Sequence, residues 1–582
     1  MILDPIILSG PHVGHREIEC AAEAAGTGWN SRASEYVLRL QQVMAGHARQ
    51  RHALAVSSGR AAMHLALLGL RVGVDDEVLI PEIAPPYIAA AILHVGARPV
   101  FCDVDPETLC ISPGSVENRV TRRSRCMVAA HLYGQMCDTE ALSALARKHN
   151  IPLVEYATGG FGANWKGRPA GSVGIFSIFS FEGYNPVVAG GGAVLLGSNK
   201  QYMERAAMFA APPNQESVLL GFDYGMSNLQ ASVGCAQMER LDEIIAKKLE
   251  IFDWYKSRLE GIDAVALQAE LPECRNSRLM TVLHLKDPAI EREAFVKQLR
   301  EARIMAAEVQ RPLSSMAAFE KGENPSAYGA GQRALLLPCG YNRTVEEVEY
   351  ICETIKRLVS GKKQQKPVEL SGWLKFKSDT LELIAKIKQE GLDIPFEHKG
   401  RQYALRALLG KDALKPQMLS FLTLMREQNK DALLSDLGST EESTKRIMAR
   451  YETQARDFLL FLIVEGDTIW GHIGLERFDF KERNCKVEAL MMREDAPQGL
   501  AAEANLKLHD WARDEMQMTR LYTHVVGSNK KSRILGSFLG YKVVNSISLY
   551  KDTVPAGSLY RPMYIMGKDQ HDETFVLAVK DL

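Results

Sequence analysis

The chain has 582 residues, 46% of them hydrophobic and 24% charged, with a net charge of −1. At roughly 100–200 residues per domain, this is enough for three or more domain-sized units with sizeable cores. The near-neutral balance gives no support for a nucleic-acid partner, and no apolar run approaches the ~20 residues of a membrane span, so neither partner is expected.

The opening stretch, MILDPIILSGPH, has no basic segment and carries Asp4, so no signal peptide is expected. Ten cysteines are scattered along the chain without a CxxC pair, which predicts reduced, buried thiols in a cytoplasmic protein and no metal site. Over the first ~360 residues, short apolar runs alternate with helical segments. HALAVSS, DEVLIP, RPVFCDV, SRCMVAAHLYG and IPLVEYA read as buried strands of a mainly parallel α/β sheet. LDEIIAKKLEIFDWYKSRLEG has helical periodicity. TVEEVEYICETIKRLVS, with a Thr cap, acidic first turn and basic last turn, predicts a helix. GKKQQKP at 361–367 is polar, basic and closed by proline, and predicts a linker.

Beyond about 400 a second unit follows. RQYALRAL predicts a strand. ALKPQMLSFLTLMREQ and EESTKRIMARYETQ predict helices. FLLFLIVEGDTIWGHIGLERF predicts a hairpin turning at Glu465-Gly466-Asp467. CKVEALMMR and RLYTHVV predict strands, and GLAAEANLKLHDWARDE and NKKSRILGSFLGY predict helices.

AVSSGRAAMHLALLGL at 55–70 reads as strand, small-residue turn and helix N-terminus, a geometry that offers free backbone N–H groups to a phosphate. It occurs in a fixed order with TGW, GVDDEVLIP, ARPVFCDVDPETLCI, HLYGQMCDTEAL, KGRPAGSVGIFSIFSF and GFDYGMSNLQASVGCAQMERLDEII. On these motifs the chain resembles, over about residues 5–360, the DegT/DnrJ/EryC1/StrS family of sugar aminotransferases. The resemblance implies the type I pyridoxal-phosphate fold, a mainly parallel sheet with helices on both faces and a small C-terminal subdomain. It also implies a homodimer acting on nucleotide-linked keto-sugars.

The departures from that family fall at the chemistry. The family's Schiff-base lysine aligns with Asn185, and an amide neither forms the imine nor shuttles the substrate proton. Histidine, used there by a dehydratase branch, is absent too. The acidic residue that faces the pyridine nitrogen aligns with Tyr156, a phenol with an ordinary pKa of about 10. The ring-stacking aromatic aligns with Pro85, the threonine of the phosphate turn with Arg60, and the phosphate-holding asparagine with Asp223. The expectation is a unit that neither transaminates nor binds pyridoxal phosphate in the family's manner. Gly59, Ser180 and HLYGQ are then fold residues, with a remnant anion site around Arg60 and Ser180 as the alternative.

The second unit, from the hairpin through CKVEALMMR and APQGLAAEANLKLHDWA to HVVGSNKKSRILGSFLGYKVV, resembles the GNAT N-acetyltransferases. In that family one strand splays from its neighbour, and a loop opening the next helix cradles the CoA pyrophosphate with backbone N–H groups. The resemblance puts Gln498, Gly499, Leu500, Ala501 and Ala502 in that loop, without the usual arginine and with Ala501 at the second glycine, and puts Asn529 beside the pantetheine. The family's general-acid tyrosine position is Gly536. Candidate bases for the acceptor ammonium are Glu488, His472 and His524.

The sequence thus predicts an aminotransferase-like domain over 1–360, a linker with a helix over 361–400 and a GNAT α/β acyltransferase domain over 401–582. The expected function is acetyl-CoA-dependent (or other acyl-CoA-dependent) acylation of a small-molecule amine. A nucleotide-linked amino sugar is expected as acceptor, with dimerisation through residues 1–360. The alternatives are a bifunctional enzyme with altered pyridoxal-phosphate chemistry and a non-enzymatic sugar-nucleotide-binding scaffold.

Overall fold

The computed structural model describes residues 5–10, 12–183, 185–212, 220–360, 372–428, 444, 445, 448, 458–480, 483–526, 542–554, 557–562 and 573–581; for parts of the second unit only the backbone is described. The chain divides into two compact units, Asp4–Val368 and Glu369–Leu582. No helix among the described residues is long and apolar enough to cross a membrane.

The first unit is built on a seven-stranded sheet. Its strands are β1 (His52–Val56), β2 (Glu77–Pro81), β3 (Arg98–Cys102), β4 (Ser124–Ala130), β5 (Leu153–Tyr156), β6 (Phe176–Ser180) and β7 (Ala193–Gly197). The order is β1-β7-β6-β5-β4-β2-β3, parallel from β6 to β3, with β7 antiparallel to both of its neighbours. The strands are apolar throughout because both faces are covered. Phe176 and Ile178 of β6 join Ala193 and Leu195 of β7 in one core, while Phe179, Val194 and Leu196 join another. This one-residue alternation follows from the pleat.

A smaller antiparallel sheet holds β8 (Val265–Leu267), β9 (Thr281–Leu285), β10 (Ala307–Glu308) and β11 (Ala334–Leu337), in the order β8-β9-β11-β10. The helix Val345–Val359 closes the unit. Thr344 and Glu347 form the capping box at its start, and Lys356 and Arg357 lie in its last turn, as the sequence predicts. His284 on β9 has a buried Nε2 without a hydrogen-bond partner, and burial holds its imidazole down at about 4. Its neutral form is thus favoured in the fold, against an ordinary value of about 6.5 in the unfolded chain. That contribution to stability is fully present above about pH 6.5 and is lost as pH falls toward 4. His284→Gln should therefore flatten the fall in Tm between these pH values, as read by thermal melts.

All ten cysteines are buried and unpaired, as expected. Burial pushes the thiol of Cys274 up to about 11 and that of Cys102 up to about 12.

The second unit begins before the expected 401. The helix Gly372–Glu390 and the strand β12 (Asp393–His398), assigned by the sequence to a linker, contribute Phe376, Ile384, Ile387, Ile394 and Phe396 to its core. β12 pairs along its whole length with β13 (Arg401–Ala407). The sheet continues through β14 (Phe458–Glu465), β15 (Thr468–Asp479), β16 (Asn484–Met492), β17 (Arg520–Val526), β18 (Lys542–Val554), β19 (Gly557–Pro562) and β20 (Glu573–Asp581). Its order is β12-β13-β14-β15-β16-β17-β20-β18-β19. Among the described residues only the β16–β17 pairing of this sheet is parallel. The β14–β15 hairpin turns on Gly466-Asp467, with Gly466 at φ 57°. The expected helix Pro416–Gln428 is present. The expected linker 361–367 and the helix over 529–541 lie outside the described residues, as does most of the helix after 440.

Candidate functional site

In the first unit the loop after β6 runs from Phe181 to Gly192. It closes on itself through backbone bonds from Phe181 to Gly192 and from Ala189 to Phe181. Gly190, Gly191 and Gly192 all have positive φ, which explains the glycine run before β7. Asn185, half-buried, donates its side-chain amide to the carbonyl of Ser180 at 3.0 Å and so ties the loop to the end of β6.

Tyr156 ends β5 and is buried. Its hydroxyl contacts that of Tyr87, with the rings edge to face at 5.7 Å. Burial raises the Tyr156 phenol above its ordinary value, so it is neutral at physiological pH. The preceding residue, Glu155, faces a buried network. His131 lies 3.0 Å from its carboxylate, and the backbone N–H groups of Gly171, Val173 and Gly174 donate at 3.1, 2.7 and 2.5 Å. Burial pushes this carboxyl up, but His131 and the backbone donors together outweigh it and hold it below the ordinary range. His131 of HLYGQ is thereby engaged in the fold.

Gly59 opens the helix Gly59–Gly69, whose cap Ser58 accepts from Ala61 at 3.1 Å. A Cβ on Gly59 would lie 3.1 Å from that of Ser180, so this glycine permits close packing of the helix end on β6. Ser180 is buried, and its N–H donates to Thr158 at 2.8 Å.

These elements enclose a cavity of about 430 Å³. Of the seven residues singled out in sequence, Pro85, Tyr156 and Asn185 line it; Gly59 and Ser180 pack on each other just outside the lining. Arg60 and Asp223 are exposed and outside it. The lining also takes His131 and Tyr133 of HLYGQ, which the sequence assigns to the fold, and Tyr87, Glu182 and Glu308, which sequence reasoning missed because they come from separate segments. Glu308 is paired with Arg292 at 3.2 Å and with Arg311 at 3.3 Å. Among the described residues no lysine lines the cavity.

In the second unit the parallel strands β16 and β17 pair only at Asn484–Lys486 with Arg520–Tyr522, and no further pairing between them is seen among the described residues. β16 meanwhile follows β15 as far as Met492, with a bulge where Met491 and Glu488 oppose His472 and Gly474. The pairing of the two strands ends at Lys486, and β16 runs on to Met492 before the loop that leads into the helix Leu500–Asp514. Gly499 caps that helix at φ 90°, a left-handed conformation that glycine adopts at little cost. The N–H of Leu500 bonds to Pro497 and that of Ala502 to Gly499, while the N–H groups of Gly499 and Ala501 make no hydrogen bond among the described residues. Arg493, just before the loop, is held by Asp495 at 2.7 Å and stacks over Trp470.

His472 is buried on β15, opposite Leu462 and Met491. The backbone of Glu488 lies opposite Gly474, and that of His524 pairs with Leu577; their side chains are outside the described residues, and so is Asn529 as a whole.

Residues 11–356 match the DegT/DnrJ/EryC1/StrS aminotransferase family, and the chain belongs to that family. Residues 422–542 match the acetyltransferase (GNAT) domain, so the two lie in one chain. GDP-perosamine synthase of Escherichia coli O157:H7 is 31% identical over 361 residues, which are 60% of this chain and 98% of the relative. A second GDP-perosamine synthase, from Vibrio cholerae, is 27% identical over 60% of this chain and 97% of the relative. Among solved structures, the aminotransferase TlmJ from Streptoalloteichus hindustanus superposes with a TM-score of 0.58 at 27% identity, covering 61% of this chain and 99% of that one. The type I aminotransferase fold and the GNAT domain expected from sequence are both present.

Proposed function

We propose that the chain is an acyl-CoA-dependent N-acyltransferase whose aminotransferase-like unit has lost its own reaction. The observation that carries this reading is a pair of N–H groups, Gly499 and Ala501, unbonded among the described residues, at a helix start that follows the first of two parting parallel strands. A diphosphate is the ligand such donors suit. The acceptor amine attacks the thioester carbonyl once deprotonated, the C–S bond breaks, and the CoA thiolate takes up a proton. Glu488, His472 and His524 are the candidate groups for removing the amine proton.

The first-unit cavity does not fit a Schiff-base cofactor. Among the described residues its lining has no lysine or arginine, and it places a neutral phenol where a carboxylate would face the pyridine nitrogen. This unit is read instead as the homodimerisation and substrate-recognition part, in a cytoplasmic enzyme. The relatives' names direct attention to nucleotide-linked amino sugars as the acceptor class.

The test is to incubate the purified chain with acetyl-CoA and a panel of nucleotide-linked amino sugars. Acceptor-dependent release of CoA thiol, with an N-acetylated product by mass spectrometry, is expected. Failure of acetyl-CoA to bind at all would remove the reading.

A further inference from the structure

The helix start that carries the two unbonded N–H groups is touched by a residue about a hundred positions earlier. The Nε2 of His398 lies 3.0 Å from the carbonyl oxygen of Gln498. The same imidazole packs on the next residue, since a Cβ on Gly499 would stand 3.1 Å from its Cε1.

His398 is held firmly. It is the last residue of β12, and Lys399-Gly400 makes a two-residue turn into β13, both with positive φ, at 51° and 75°. That is the pattern of a tight hairpin turn whose twist matches its strands. His398 pairs directly with Arg401, and Arg401 is anchored to Glu465 at 2.7 Å.

A trans peptide is planar, with its C=O and N–H pointing in opposite directions. A proton on Nε2 donated to the Gln498 carbonyl therefore fixes the plane of the Gln498–Gly499 peptide. It turns the Gly499 N–H away from the imidazole, and it polarises that N–H through the same amide. The loop has no arginine of its own free for this purpose, because Arg493 is taken by Asp495.

We infer that His398 is a positioning residue of the acyl-CoA site, setting the Gly499 N–H to receive the diphosphate of the acyl donor. The inference rests on the acyltransferase reading above. It assigns a binding function to a hairpin that lies ahead of the segment matching the acetyltransferase domain.

The experiment is calorimetry on the full chain with two donors, acetyl-CoA and S-acetylpantetheine, which lacks the diphosphate. His398→Ala should weaken acetyl-CoA binding by about three- to tenfold, the range of one lost hydrogen bond, and leave S-acetylpantetheine unchanged. His398→Gln, which returns an N–H donor at a similar reach, should restore acetyl-CoA binding to within about twofold of the parent. Equal acetyl-CoA binding by the alanine variant and the parent would overturn the inference while leaving the acyltransferase reading standing. Equal weakening of both donors would overturn it too, because that is the mark of a general loss of structure. A parent chain that binds neither donor would bring down the acyltransferase reading and this inference with it.

Discussion

Asn185→Lys, incubated with pyridoxal phosphate and then freed of unbound cofactor, should give a protein that still shows no Schiff-base absorbance at about 330–420 nm, and still fails to aminate a nucleotide-linked keto-sugar from glutamate. The new amine would reach the cavity, but its surroundings would not be those the cofactor needs. Tyr156 is a neutral, buried phenol engaged with Tyr87, so nothing there stabilises a protonated pyridine nitrogen. Arg292 and Arg311, the two arginines paired with Glu308, are not among the described residues that line the cavity, so neither stands there for a phosphate. The substitution also removes the hydrogen bond that the Asn185 amide donates to the Ser180 carbonyl, which ties down the loop, at a cost of about 1 kcal/mol. Absorbance spectra and chromatography of the sugar product read the outcome. Tight, absorbing cofactor binding by the parent would show that the cavity kept its original ligand.

Gly499→Val should weaken acetyl-CoA binding more than tenfold. Two effects act in the same direction. At φ 90° a β-branched side chain is strained, by about 1–3 kcal/mol. Its Cβ would also press on His398 at 3.1 Å and tilt the peptide that His398 holds. The strain lowers affinity by driving the free loop out of the conformation that presents the Gly499 N–H, and a tenfold loss corresponds to about 1.4 kcal/mol, within the range of that strain. The necessary control is Ala501→Gly, which makes the loop more flexible without adding bulk and should leave affinity within about threefold. Calorimetry on all three proteins separates the cases. Unchanged binding by the valine variant would mean that the acyl donor does not use this loop. The first unit's melting transition should be the same in all three, since the loop belongs to the other unit's core.

Much of the fold was readable because its signals are local. The capping box at Thr344, the apolar runs of β1 to β5 and the Gly466-Asp467 turn each declare themselves within a few residues. The segment 372–400 was not readable as part of the second unit. Its helix carries many polar residues and follows the basic, proline-closed stretch GKKQQKP, so composition grouped it with a linker, whereas Phe376, Ile384 and Ile387 are buried only against distant strands. The same distinction governs the sites. Asn185, Tyr156 and Gly499 stand in recognisable motifs. Tyr87, Glu182 and Glu308 come together only when the chain folds, and the contact of His398 with Gln498 crosses a hundred positions with no shared periodicity to reveal it.

The burial of all ten cysteines has a practical side. A thiolate is the form that attacks an aromatic disulfide reagent, and a thiol whose ionisation is pushed to about 11 or 12 presents almost none of it at neutral pH. All ten thiols are buried, so the folded chain is expected to react slowly with such a reagent in spite of its sulfur content. Free CoA, small and exposed, is then the fast-reacting sulfhydryl in a turnover mixture. The colour that develops during the reaction counts acyl groups moved, and the further colour released by a denaturant counts protein molecules, so one cuvette yields both the numerator and the denominator of a turnover number.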